Sequence, residues 1–160
     1  MAADEKPVAV AALDVEPRMR SNYPPPFAER VAGRVKRPLG DVFGLANFGV
    51  NLTTLKPGAI SALRHSHLKQ DELIYALSGT AVLVTNRGET VLKPGMCAGF
   101  KANTGDAHHI VNRGTEDFVY IEVGDRTPGE EATYPDDDLM LKAGPDGKYL
   151  FLHKDGRPYA

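Results

Sequence analysis

The chain of 160 residues is long enough for one domain with its own apolar core, and 42% hydrophobic with 25% charged residues excludes a disordered or low-complexity protein. A net charge of -2 supplies no field for nucleic acid or an anionic membrane, and a single cysteine, Cys97, excludes an internal disulfide. No apolar run approaches the roughly 20 residues of a membrane span. The short apolar piece 7–13 follows Asp4 and Glu5 rather than a basic start, so a secretory leader is not expected and a cytoplasmic location is.

Residues 1–40 form a proline-rich arm. Pro7, Pro17, Pro24, Pro25, Pro26 and Pro38 interrupt any long helix. The segment SNYPPPFAERV offers Tyr23 and Phe27 as apolar anchors on a stiff, extended stretch, which lies across its own domain or across a partner subunit. There is no room for a helix-turn-helix, so a DNA-binding regulator of that kind is not expected.

From 41 to 126 the texture becomes that of strands. NFGVNLTTLKPG alternates, with Phe48, Val50 and Leu52 on one face and a stop at Lys56-Pro57-Gly58. ELIYALSGTAVLVTNRGETVLKPG reads as three strands, with Ser78-Gly79 and Asn86-Arg87-Gly88 as hairpin-type turns. Residues 96–100 are a further short apolar segment, where Cys97 is expected to be a small buried residue. HHIVN and DFVYIEVG are two more strands. Many short strands with frequent turns predict an antiparallel sandwich or barrel. Residues 127–160 form a polar extension. In it Asp136, Asp137 and Asp138 read as a solvated acidic loop, and Asp146-Gly147 and Asp155-Gly156 as tight turns. KYLFLHKDGRPY reads as a terminal hairpin that carries His153 on the surface.

The chemistry concentrates in RHSHLKQDELIYALSG. Residues at i and i+2 of a strand share a face, so His65 and His67 are neighbours, with Arg64 and Ser66 opposite. Glu72 follows the polar turn LKQD and starts the next strand, with Ile74 and Ala76 on its face. A hairpin there brings Glu72 opposite the histidine pair. An acid on an apolar interior face is costly unless it is paired or bound to a cation, and a cation between two imidazoles and a carboxylate removes that cost. A third imidazole is available from His108 or His109. Being adjacent, these point to opposite faces of their strand, and periodicity alone leaves both open.

These residues resemble the cupin family. Gly58 to Gly79 is similar to its first motif, glycine, His-x-His, glutamate and glycine, with six residues between Gly58 and His65 where the motif has five. Gly95 to Asn112 is similar to the second motif through Gly105, His108 and Asn112. Lys101 stands where that motif has proline, and two residues are added before Gly105. The resemblance covers 41–126. It implies an all-β double-stranded β-helix, a jelly-roll barrel with an N-terminal arm and a C-terminal extension packed on it. It also implies a metal centre of His65, His67, Glu72 and His108, with His109 facing away, and a homodimer.

Three imidazoles and a carboxylate without thiolate accept one divalent transition metal ion: Fe, Mn, Ni, Co, Cu or Zn. The function expected is a metal-dependent enzyme of dioxygenase, isomerase or lyase type acting on a small organic molecule, with an oxidoreductase among the options. Glu72 is a possible base, and Tyr75, Phe100, Lys101 and Tyr120 are candidates for the pocket wall or rim. A non-catalytic binder of a sugar or organic acid is the alternative. On this ligand set, His65→Ala, His67→Ala and His108→Ala each lower metal content while His109→Ala does not. Metal analysis of the four purified variants reads this directly, and equal loss from His109→Ala contradicts the assignment.

Overall fold

The computed structural model describes residues 6–144 and 146–159. Asp4 and Glu5, on which the leader argument turned, lie outside them. The chain forms β1 (Arg34–Pro38), α1 (Leu39–Val42), β2 (Phe48–Leu55), β3 (Ser66–His67), β4 (Glu72–Ser78), β5 (Ala81–Thr85), β6 (Gly88–Leu92), β7 (Cys97–Phe100), β8 (His109–Val111), β9 (Phe118–Asp125), β10 (Glu131–Tyr134), β11 (Leu139–Ala143) and β12 (Tyr149–Leu152). Two 3-10 turns, Ala12–Asp14 and Ala28–Val31, interrupt the arm.

One sheet has the order β1-β2-β9-β4-β7. Two smaller sheets, β12-β11-β10-β3 and β6-β5-β8, complete the second layer. They are stitched together by residues 58–65, which run antiparallel to 108–112. The stitches are Gly58 N–H to Asn112 O, Ser61 N–H to Ile110 O, and a reciprocal pair between His65 and His108. The result is the expected all-β jelly roll.

Leu55, Ile74, Leu83, Leu92, Ile110 and Phe118 fill the space between the layers. Each such side chain stabilises the fold by about 1.5–3 kcal/mol through burial. A second cluster joins Phe27, Leu63, Tyr134, Leu139 and Leu141, with Tyr23 and Phe151 packed against it. The arm's two aromatic anchors therefore seat on their own barrel. Arg34–Pro38, read as part of the arm, is an edge strand registered on β2 from Arg34↔Leu55 to Pro38↔Asn51.

Several sequence expectations change. LKQD is not a hairpin turn, because β3 pairs with β10 while β4 pairs with β7 and β9. It is a crossing between layers. Ser78-Gly79 is also a crossing, from β4 to β5 in the other layer. Gly79 has φ +74°, and a Cβ there would lie 2.2 Å from the Asp117 carbonyl oxygen, so the crossing needs glycine on both counts. Asn86-Arg87-Gly88 does close a hairpin, with Thr85↔Gly88 at its end. The turn at Asp146-Gly147 closes β11 onto β12, and the terminal hairpin forms around Asp155-Gly156.

Cys97 is exposed rather than buried. It pairs with Tyr75 on the outward face of the five-stranded sheet, and its small side chain is no guide to which face it takes. That outward face is apolar, with Phe48, Leu73, Tyr75 and Leu77 exposed. The three aspartates are more than a solvated loop. Asp136 pairs with Arg64, Asp137 with Arg30, and Asp138 receives His153. Among the described residues, no helix is long and apolar enough to cross a membrane.

Candidate metal centre

His65 and His108 face each other as an antiparallel pair, exchanging N–H···O bonds of 3.1 and 2.8 Å. Directly opposed residues project to the same side of a sheet. Their ring centroids lie 4.9 Å apart. His67, two residues on, takes the same side. Its Nε2 is 3.1 Å from His65 Nε2. Glu72 enters from the other layer at the first position of β4. Its Oε2 is 3.3 Å from His67 Nε2 and 3.5 Å from His108 Nε2. His65, His67 and Glu72 form a group whose donor atoms lie within 4.8 Å of one another, close enough to hold one ion.

His109 is elsewhere: its Nδ1 meets the Ala62 carbonyl at 3.2 Å. The pairing of His65 with His108 supplies the physical reason, since neighbours on a strand alternate faces.

The electrostatics suit a cation. Burial, reinforced by the neighbouring His67 and His108, holds His65 down at about 3, so its imidazole is neutral. Its Nδ1 lies 2.7 Å from the Leu63 carbonyl, which fixes the proton there and leaves Nε2 free as a donor to a metal. Burial also opposes charge on His67, but the hydrogen bond and charge of Glu72 outweigh it and raise His67 above its ordinary value. Burial disfavours a charged Glu72, yet the close approach of the His108 and His67 imidazoles outweighs that and holds the carboxyl well below its ordinary range. His108 Nε2 is buried without a hydrogen-bond partner. Three imidazoles, one of them with an orphaned nitrogen, beside a carboxylate are a fitting donor set for a divalent transition metal.

These groups line a cavity of about 220 Å³. Phe100 closes one side, its ring stacked on His108 at 3.5 Å and 3°. Tyr120 reaches the wall as expected, with its hydroxyl buried and unpartnered. Tyr75 points outward and does not line the cavity. Lys101 lines a neighbouring groove that also touches Glu72 and Phe100. Further wall residues escaped the sequence reading, among them Tyr23 from the arm, Arg34 and Lys36 from β1, and Glu122 from β9. A signal existed for Glu122, an acid inside the apolar run VYIEVG two residues from Tyr120, as Glu72 is an acid beside Ile74. For Arg34 and Lys36 it was the basic alternation RVK before Pro38. Lys36 Nζ meets Glu122 Oε1 at 2.7 Å, and Arg34 Nη1 donates to the Ser61 carbonyl at 2.5 Å.

The cupin domain family model matches residues 51–124. A crystal structure from Silicibacter pomeroyi, described as a sugar phosphate isomerase from a cupin superfamily, is 41% identical. It superposes with a TM-score of 0.89 over 95% of this chain and 96% of that one. The chain belongs to the cupin superfamily. A second structure, from Acidithiobacillus ferrooxidans and provisionally named a sugar phosphate isomerase, is 30% identical with a TM-score of 0.73 over 80% of each chain. A polyketide cyclase from Streptomyces resistomycificus is 20% identical over 73% of this chain and 78% of that one. Its TM-score of 0.62 speaks to the shared cupin fold alone. No curated protein matches the chain.

Metal binding to this group competes with protons, because imidazole ligates only when neutral. His67 protonates first, its pKa being raised, while His65 stays neutral to about 3. Apparent Co(II) affinity therefore falls as pH drops from 8 towards 5, by roughly tenfold per unit once His67 takes up a proton. Titration with a competing chelator at several pH values measures it, and a flat profile excludes histidine ligation.

Proposed function

We propose that this cupin is a metal-dependent isomerase of a small phosphorylated sugar, with His65, His67, Glu72 and His108 as the ligands of one divalent ion. The observation that carries the proposal is that the His65–His67–Glu72 group, with His108 beside it, lines one small cavity together with Arg34 and Lys36. The names of the Silicibacter and Acidithiobacillus proteins support the reaction class.

The size of the cavity favours a small substrate. About 220 Å³ lies below the roughly 300–1,000 Å³ of pockets for drug-sized ligands. Its charge favours an anion. Arg34 has no carboxylate partner among the described residues, and an unpaired guanidinium matches phosphate through a two-pronged contact. A basic groove of about 580 Å³, with Arg18, Arg20 and Lys148, shares Tyr23, Arg34 and Lys36 with the cavity and offers an approach for an anion.

A bound divalent ion would supply Lewis acidity towards a carbonyl or hydroxyl oxygen of the sugar. The protein's own groups supply the rest. Isomerisation moves a proton between adjacent carbons, so a group in the cavity must accept and return it. Two carboxylates reach the cavity. Glu72 is committed to the imidazoles, which leaves Glu122 to hold the proton at Oε1 or Oε2. Lys36 and Asn51, 2.7 and 3.3 Å from its Oε1, orient it. Phe100 and Tyr23 limit entry of water.

The decisive assay is interconversion of aldose and ketose phosphates by the metal-loaded protein, followed by proton NMR, with oxygen uptake recorded on the same panel. Turnover of phosphorylated but not unphosphorylated sugars is expected. Arg34→Gln raises KM about 10- to 100-fold with unchanged metal content, the loss of a charged hydrogen bond of about 1.5–3 kcal/mol. Tight ligand binding without turnover returns the protein to the binder alternative, and substrate-dependent oxygen uptake to the dioxygenase.

The homodimer also belongs to this proposal, by a different surface from the arm. The outward face with Phe48, Leu73, Tyr75 and Leu77 is an apolar patch of the kind that marks an interface, and a second copy is its proposed occupant. Leu73→Asp shifts the protein to monomer in sedimentation equilibrium. A monomeric parent protein rules this surface out.

A further inference from the structure

We propose that Glu130 is the outer carboxylate of the metal centre, a positioning residue that fixes the tautomer and orientation of His67. The proposal rests on the metal reading above and concerns a residue outside the region matched to the cupin domain.

Glu130 precedes β10 and is 2% exposed. A carboxylate so deeply buried is costly unless something compensates it. Its Oε1 accepts the backbone N–H groups of Leu68 at 2.9 Å and Lys69 at 3.3 Å, and its Oε2 has no partner. Among the described residues, the one cationic or protonatable side chain within 4 Å of its carboxylate is His67, whose Nδ1 lies 3.9 Å from Oε1.

His67 presents Nε2 to the site, towards His65 and Glu72. Nδ1, on the far edge of the ring, is buried and has no hydrogen-bond partner. A buried nitrogen that needs an acceptor thus faces a buried carboxylate whose Oε1 already accepts two amides and whose Oε2 lacks a donor. At 3.9 Å they are not hydrogen-bonded, and a shift of the ring by about 1 Å closes the contact. His65 shows the completed version of the arrangement, with Nδ1 against the Leu63 carbonyl at 2.7 Å. A carboxylate in that role holds the proton on Nδ1, aims the ring, and makes Nε2 a stronger donor to the ion.

A purely architectural role is the competing explanation. Through Leu68 and Lys69, Glu130 also ties down the crossing that separates His67 from Glu72. Glu130→Gln distinguishes the two, because the glutamine keeps an oxygen for both amides and loses the charge. Co(II) and Zn(II) affinities are measured by chelator competition, beside the melting temperature of the metal-free proteins. The positioning role predicts a 10- to 100-fold loss of affinity in Glu130→Gln, an altered Co(II) visible spectrum, and a melting temperature close to that of the parent. Nitrogen-15 NMR of the parent protein with Zn(II) predicts a slowly exchanging proton on His67 Nδ1 and the metal on Nε2. This second measurement decides the matter even where the variant fails to fold. Unchanged affinity in Glu130→Gln, or the metal on Nδ1 of His67, overturns the proposal. A parent protein that binds neither ion removes the metal reading itself, an outcome distinct from both.

Discussion

Two backbone hydrogen bonds between His65 and His108 carry more of this structure than their energy suggests. They belong to the run of contacts that stitches residues 58–65 to 108–112, and so join the two smaller sheets into one layer. The same register places two imidazoles on one side of that layer. A slip of one residue would turn His108 outward and bring His109 in. Fold and site are therefore written in one ladder, and neither can be altered there without the other.

Against that layer the five-stranded sheet contributes acids rather than imidazoles. Glu72 and Glu122 both sit on its inward face, among Ile74, Ala76 and Tyr120. Glu72 Oε2 lies between two imidazoles; Glu122 answers Lys36 and Asn51. Each acid has its own polar partners in an apolar setting, and the two sets differ. Histidines and cation-seeking carboxylate gather at one end of the cavity, and the Lys36–Glu122 pair and Arg34 mark another part of its wall. Such a division gives one small space two chemically different walls.

Much of this was legible in the residues. Alternation marked the strands, His-x-His with an acid in an apolar run marked the site, and the spacing of Gly105, His108 and Asn112 chose between adjacent histidines by resemblance. What escaped was which strands pair. LKQD and Ser78-Gly79 have the composition of hairpin turns, but a tight turn and a crossing between layers use the same residues. The difference lies in partners distant in sequence, such as β9 beside β4 and β10 beside β3. The same non-local pairing hid the wall residues. Arg34 and Lys36 reach the cavity only because β1 lies on β2, and Glu130 stands behind His67 only because β10 lies on β3. Cys97 went astray because residue type is a weak guide to face on a strand whose two sides are both apolar.

Tyr23 sits in the arm, yet its ring packs against Tyr134 and Phe151 and it forms part of the cavity wall. The arm lies outside the ladder that holds the histidines. The shape of the chamber and the histidine-carboxylate cluster are thus encoded in separate parts of the chain. An insertion or exchange in the proline-rich stretch remodels what the chamber admits while the histidine ladder keeps its register. Selectivity in this barrel can drift independently of its chemistry.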